Sequence, residues 1–373
     1  MGQDQNSADS NRRQFLTGRA LRNQLESAAD VLSDQLTENP QDVPAGSSTL
    51  RLTTRAMACD FSVFVNPDAA PQLKHASDAL DLLHPLEQLM TVYRDDSEMT
   101  RVNDQAFGTS IPVERSLFEL LQRARTMSME TNRGFDPTMG PVIALWRSCR
   151  AGGQVPTQQE IDDCLSRTGI DQVRFDNQTA SIGFDVEGME LNLGAIGKGY
   201  ALDQISSHLA GQGLVDFLCH GGHSSIRAHG THHGLPGWPI GLRNPLFTEQ
   251  RLATVLLQDQ AMGTSGSNVQ YFRLQGRRFG HILDPRSGWP VEDILSCWVF
   301  APTAEQADAL STAFFVIGVE NARRYCDNHP KVSAILIPQP RQGRSLEPVI
   351  CGVPDDVLFL TSADVTTSRT WPG

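Results

Sequence analysis

The segment that most constrains this chain is a strand, a glycine-rich loop and a helix in immediate succession. Leu191-Asn192-Leu193 reads as a short strand, and Gly194-Ala195-Ile196-Gly197-Lys198-Gly199 follows as a loop. Leu202, Ile205 and Leu209 then recur at helical spacing until Gly211 and Gly213 stop the helix. Residues 215–218 return as a strand and run into His220-Gly221-Gly222. Three glycines let backbone amides approach a ligand, and the helix start aims free N–H groups at the same place. Lys198 adds positive charge, so the unit suits a phosphate. The same residues also make an ordinary tight strand-to-helix turn, and both readings stand at this point. The spacing fits neither a Rossmann fingerprint nor a P-loop, which needs four residues between its glycines and a Ser or Thr after the lysine.

Around this unit strands and helices alternate irregularly. Residues 61–65 read as a strand. Residues 76–91 read as a helix with Leu80, Leu83, Leu86 and Met90 on one face and a kink at Pro85. A second helix covers 117–131 and ends at Asn132 and Gly134, after which the pattern is weak through Gly153. Residues 172–175, 181–184 and 190–193 look like short strands. Residues 303–316 form a strong helix, with Thr303 and Gln306 placed for a capping box and Gly318 for its end. No βαβ rhythm and no repeat occurs, so the expected class is α+β. Residues 1–48 are polar and close on the linker Asn39-Pro40-Gln41-Asp42-Val43-Pro44-Ala45-Gly46-Ser47-Ser48. They are expected to form an arm outside a domain spanning 49–373.

Composition removes several classes of function. The net charge of -12 over 373 residues argues against a nucleic-acid partner, which needs a basic surface. The seven cysteines are odd in number, widely spaced and without a CxxC pair, so free thiols in a reducing compartment are expected. No apolar run is long enough for a transmembrane segment. Ser10-Asn11-Arg12-Arg13-Gln14-Phe15-Leu16 looks like a twin-arginine export motif, but the following stretch is charged and amphipathic, with Leu21, Leu25, Ala28 and Leu32 at helical spacing. A cytoplasmic protein is therefore expected, with export through this N-terminus as the alternative.

Four places could carry chemistry. Asp308 and Thr312 sit four residues apart on the capped helix, so both face one way. A carboxylate and a hydroxyl are hard oxygen donors suited to Mg²⁺, or simply a polar helix face. His281, in Phe279-Gly280-His281-Ile282-Leu283-Asp284-Pro285, is an imidazole beside a carboxylate, either a general base or a structural histidine. Asp136 lies in Gly134-Phe135-Asp136-Pro137-Thr138-Met139-Gly140-Pro141, where Asp-Pro-Thr also starts turns. Tyr93 and Met57 suit a core or a flavin ring. His220, His223, His229, His232 and His233 lie in a Gly-rich stretch whose irregular spacing does not fit zinc.

Taken in order, these motifs resemble the FAD:protein FMN transferase (ApbE-like) family over roughly residues 50 to 320. Leu89-Met90-Thr91-Val92-Tyr93-Arg94-Asp95-Asp96-Ser97-Glu98 is similar to that family's tyrosine segment, and residues 134–141 to its flavin-contacting loop. Residues 191–203 resemble its DLGGIAKGYAVD block. Thr264-Ser265-Gly266 resembles its TSG segment, and His281-Ile282-Leu283-Asp284-Pro285-Arg286-Ser287-Gly288 its HIIDPRTG segment. Residues 301–313 look like its metal helix. The resemblance implies an α+β, T-fold-related, two-lobed single catalytic domain with a central FAD cleft. It implies FAD as substrate, Mg²⁺ as cofactor and an FMN phosphoester made on a Thr or Ser of a partner flavoprotein, with release of AMP. By the same resemblance Met57, Tyr93, Gly134, Phe135, Asp136, Asn192, Lys198 and Ile282 contact FAD. Ala195, through its carbonyl, binds metal with Asp308 and Thr312, and His281 deprotonates the acceptor hydroxyl.

The chain departs from that pattern at four places. Asn192 replaces the usual aspartate, and His220-Gly221-Gly222-His223-Ser224-Ser225 stands where GGE or GGD is common. Ser265-Gly266-Ser267-Asn268-Val269-Gln270 lacks the usual basic residues, and Ala56-Met57-Ala58-Cys59 replaces MGT. Alternative readings are an FAD pyrophosphatase and a non-catalytic FAD-binding paralogue. No self-acceptor pattern occurs, so the acceptor flavoprotein is expected to be a separate chain.

Overall fold

The computed structural model describes residues 24–30, 49–267, 271–340 and 345–361. The twin-arginine segment, the linker at 39–48 and Asn268-Val269-Gln270 lie outside the described residues.

The frame is an eight-stranded sheet whose spatial order is also the chain order: Leu50–Ala56, Cys59–Val65, Phe217–Gly221, Ser225–His229, Ala261–Gly266, Ile294–Ala301, Ser333–Pro338 and Val349–Cys351. Every neighbouring pair is antiparallel. The α+β expectation is met in that form. Alternate residues serve opposite faces, as strand geometry requires. Val63, Phe217, Cys219, Cys297 and Val299 enter one core, while Phe64, Leu218, Trp298 and Phe300 enter another.

The first core is closed by the helices Gly197–Gly211 and Ala304–Asn328. The second is closed by a smaller sheet of Trp238–Arg243, Arg251–Leu257 and Leu358–Leu360. Two glycines let the long helix come close. A Cβ on Gly199 would lie 2.1 Å from the Ala304 carbonyl oxygen, and one on Gly263 would lie 2.2 Å from that of Ala307. Residues 24–30 are helical and bury Leu25 and Ala29, with Leu25 packed against Leu235 and, on the small sheet, Leu256.

Several boundaries differ from the sequence reading. The expected helix 76–91 is two helices, Leu73–Asp81 and Leu83–Met90, and Pro85 lies in the first turn of the second, where its missing N–H costs nothing. Residues 140–151 are not weakly structured but form the helix Gly140–Ala151, which Pro141 opens and which buries Val142, Trp146 and Cys149. Residues 190–193 are not a strand. Asn103 takes both backbone groups of Leu191, accepting from its N–H at 2.8 Å and donating to its C=O at 3.0 Å. The helix at Ala304 begins at the expected cap, with Thr303 Oγ1 accepting from the Gln306 N–H, but the capping box is half made, because the Gln306 side chain engages Tyr325. Gly318, at φ 77°, breaks it, and a further helical segment runs on to Asn328.

Candidate active site

One cleft of about 460 Å³ is lined by the helix Gly140–Ala151, the segments 134–136 and 192–198, the strand end 264–266, residues 271–285 and the long helix at 308–312. It brings together Tyr93, Gly134, Phe135, Asp136, Asn192, Ala195, Lys198, His281, Ile282, Asp308 and Thr312. Met57 does not reach it. That residue and Ala58, both at positive φ, form the two-residue turn between the first two strands, and Met57 packs against the main core.

Asp308 is the centre of the cleft's polar end. It is buried, and its Oδ2 accepts from the Gly199 N–H and the Ser225 hydroxyl, each at 2.8 Å. No other described residue donates to Oδ1, which leaves that oxygen for a cation. Desolvation raises the carboxyl to about 6, against the opposing pull of Lys198. Hydroxyls gather beside it. Ser311 Oγ donates to the Asp308 carbonyl at 2.9 Å, and Ser265 Oγ lies 3.0 Å from Ser311 Oγ and 3.4 Å from Thr312 Oγ1. A buried carboxylate with a vacant lone-pair face among hydroxyls is an oxygen-donor set that fits a hard divalent ion. No cluster of three or more His, Cys, Asp or Glu able to hold a metal occurs among the described residues. The histidines at 220 and 232 are tied up elsewhere: His220 is buried and held neutral, its imidazole pushed down to about 3, and His232 contacts Asn66 Oδ1 at 3.0 Å.

The glycine loop is shorter than its sequence suggests. The helix already starts at Gly197, so Lys198 and Gly199 sit in its first turn, with Lys198 lining the cleft. Gly199 serves helix packing and the bond to Asp308 rather than approach to a ligand. Asn192 Oδ1 accepts from the Gly194 N–H at 2.9 Å, so the amide keeps the loop-shaping acceptor that an aspartate would supply, without its charge.

Asp136 is not an available base. Its Oδ2 accepts from Arg133 Nε at 2.8 Å, and its Oδ1 accepts from the Thr138 N–H and hydroxyl at 2.9 and 2.6 Å. Gly134 seats this loop on the long helix, where a Cβ would meet Ile317 at 2.4 Å. His281 is exposed at the cleft wall. The carboxylate beside it in sequence is engaged elsewhere, because Asp284 gives Oδ1 and Oδ2 to Arg286 Nε and Nη2 at 2.8 and 2.7 Å. The aspartate thus shapes the turn.

Sequence reading missed an aromatic wall. Trp146, Phe272 and Phe279 line the cleft, with ring centroids 5.1 to 6.2 Å apart. Tyr93, 66 % exposed, stands at the rim with the Arg147 guanidinium 4.7 Å from its ring centroid, so it is not a core residue. Val142, Trp146 and Cys149 stand at helical spacing, the one signal that could have revealed the helix carrying this wall.

An antiparallel sheet backed by two helices, with one cleft that combines an oxygen-donor corner at Asp308, a lysine in a helix's first turn and an aromatic wall, defines an α+β ligand-binding class of fold. Residues 57–336 match the ApbE family, and the chain belongs to it. Among curated relatives it is 34 % identical to the FAD:protein FMN transferase of Klebsiella pneumoniae (strain 342), over 71 % of this chain and 83 % of that protein. It is 32 % identical to the FAD:protein FMN transferase of Treponema pallidum (strain Nichols), over 75 % of this chain and 81 % of that one. The crystal structure of the ApbE protein of Thermotoga maritima superposes with a TM-score of 0.70 at 26 % identity, covering 78 % of this chain and 94 % of that one.

Proposed function

We propose that this chain is an FAD:protein FMN transferase, moving FMN from FAD to a Thr or Ser hydroxyl of a separate acceptor flavoprotein with release of AMP. The observation that carries the reading is the convergence of Asp308, Lys198 and His281 on one cleft with an aromatic wall. The family match and the names of the curated relatives support it. The two walls are read as lobes of a single T-fold-related catalytic domain, residues 49–373, with FAD between them. In this reading Tyr93 and the 134–136 loop face the flavin, while Met57, in the turn between the first two strands, stands apart from the residues that line the cleft. The protein is read as acting in the cytoplasm, and a mature form beginning within residues 20–50 in an exported fraction would overturn that.

Asp308, Thr312 and the Ala195 carbonyl would hold Mg²⁺, which when bound offsets charge building on the pyrophosphate. The chain's own groups do the rest. Lys198 and the amides at the start of its helix hold the phosphate oxygens. His281 takes the proton of the acceptor hydroxyl. The acceptor oxygen bonds to the FMN phosphorus, the bond from that phosphorus to the bridging oxygen breaks, and AMP leaves with that oxygen. The test is incubation with FAD, Mg²⁺ and a candidate acceptor, read by intact mass. Transfer adds FMN to the acceptor. Free FMN without transfer would make the protein a pyrophosphatase, and unchanged FAD would make it a binding protein.

A further inference from the structure

The helix that carries Asp308 and Thr312 is held at two levels by the same two elements. At its first turn, Asp203 Oδ1 accepts from the Ala304 N–H at 2.8 Å and Oδ2 from the Glu305 N–H at 2.9 Å. Arg227 Nη1 donates to the Pro302 carbonyl at 2.6 Å, with its Nε 3.9 Å from Asp203 Oδ1. One turn further on, Gly199 and Ser225 hold the Asp308 carboxylate. Gly199 and Asp203 are four apart on one helix, Ser225 and Arg227 two apart on one strand, and Ala304 and Asp308 four apart on the long helix. Each spacing puts both members on one face. Gly199 also touches the Ala304 backbone too closely for any side chain, so the two helices have no slack between the levels.

We propose that Asp203 is a positioning residue for the metal corner: by clamping the first two amides of the long helix, with Arg227 holding the turn before it, it sets where Asp308 and Thr312 stand. This rests on the reading of Asp308 and Thr312 as metal ligands. Two N–H donors converge on Asp203, and only a carboxylate supplies two acceptor oxygens. Asparagine would turn its NH₂ toward one of them. The unmet helix-start amide and the lost charge at the positive end of the helix then let the first turn shift.

The test compares the parent with Asp203→Asn in the full chain, using Mn²⁺ binding followed by electron paramagnetic resonance, the Mg²⁺ dependence of FAD turnover, and thermal unfolding. Asp203→Asn is expected to bind Mn²⁺ about tenfold more weakly, to need correspondingly more Mg²⁺, and to regain the parental kcat when Mg²⁺ saturates. A merely structural aspartate would lower the unfolding temperature and leave the metal curve of the folded protein in place, and that result overturns the proposal. Should Asp203→Asn not fold, Arg227→Gln reads the same relationship from the strand, with a smaller loss of Mn²⁺ affinity expected and parental affinity overturning it. A parent that binds no Mn²⁺ removes this inference together with the metal reading. Parental Mn²⁺ binding in a folded Asp203→Asn removes this inference alone.

Discussion

Gly199 and Asp308 meet across 2.8 Å, the amide of one donating to the carboxylate of the other. That bond and the Ser225 hydroxyl stabilise the charged form, yet burial outweighs them and holds the carboxyl at about 6, above its ordinary 3.8. A raised folded value means that Asp308 favours the fold most below 3.8 and loses that contribution as pH rises through 6. Without metal, the stability of the parent relative to Asp308→Asn should therefore grow as pH falls from 7.5 to 5, by about 1.4 kcal/mol. Mg²⁺ competes with that proton, so its affinity should fall about tenfold per pH unit below 6. Thermal unfolding with and without Mg²⁺ across this range checks both. A metal effect that does not change with pH would remove Asp308 from the ligand set.

His281→Ala should keep FAD affinity and lose transfer by about 10²–10⁴-fold, because a general base acts on the chemical step. FMN transfer to an acceptor, measured beside an FAD titration, decides it. Transfer at the parental rate would make His281 a wall residue only. Asp284→Asn, by contrast, should act through the turn that Arg286 closes. Its loss should appear as lowered stability before lowered rate.

The N-terminal arm is not wholly outside the body. Leu25 and Ala29 are buried, Leu25 against Leu256 of the small sheet, and Arg251 pairs with Asp30 and donates to the Glu26 carbonyl. Burying one leucine stabilises by about 1.5–3 kcal/mol. A chain beginning at Ser48 should therefore unfold a few degrees lower and still bind FAD as the parent does, since the arm sits on the sheet face turned away from the cleft helices. Loss of FAD binding in a folded truncation would show that the arm reaches the site.

Gly199→Ala should be costly out of proportion to one methyl group. Its Cβ would overlap the Ala304 carbonyl, a backbone atom that cannot rotate away. The expected loss is about 1–3 kcal/mol or more, with weakened metal binding, because the helices must part. Urea denaturation and Mn²⁺ titration measure the two effects, and a variant unchanged in both would mean that the helices separate freely.

What the sequence carried legibly was local. Thr303, Gln306 and Gly318 marked the long helix, and the glycines at 194–199 marked a helix start, because caps and turns are written in neighbouring residues. What it hid was non-local. The 190–193 segment has strand-like residues, but its backbone bonds go to the Asn103 side chain, the Pro137 carbonyl and the Gly140 N–H rather than to a neighbouring strand. Asp203 reads as an ordinary helical aspartate until the start of another helix is set against it. Met57 sits in a two-residue hairpin turn and packs, half-buried, against the core, a position its own segment does not announce.

The strand Cys59–Val65 lies directly beside Phe217–Gly221, and Val65 is paired with Phe217. Closing that register ties off a loop of roughly 150 residues, and each doubling of such a loop costs about 0.6 kcal/mol in entropy. Tyr93, the 134–136 loop, the helix Gly140–Ala151 that carries Trp146 and the start of the Lys198 helix all lie inside it. Tyr93 and Lys198 can therefore face His281 and Asp308 only after the two ends of the loop have met. Such long-range pairings form slowly, so the main core and the cleft should both be completed late in folding. A ligand that bridges the two sides would then act as a late fastener of the folded chain, slowing reopening of the loop more than it speeds closure.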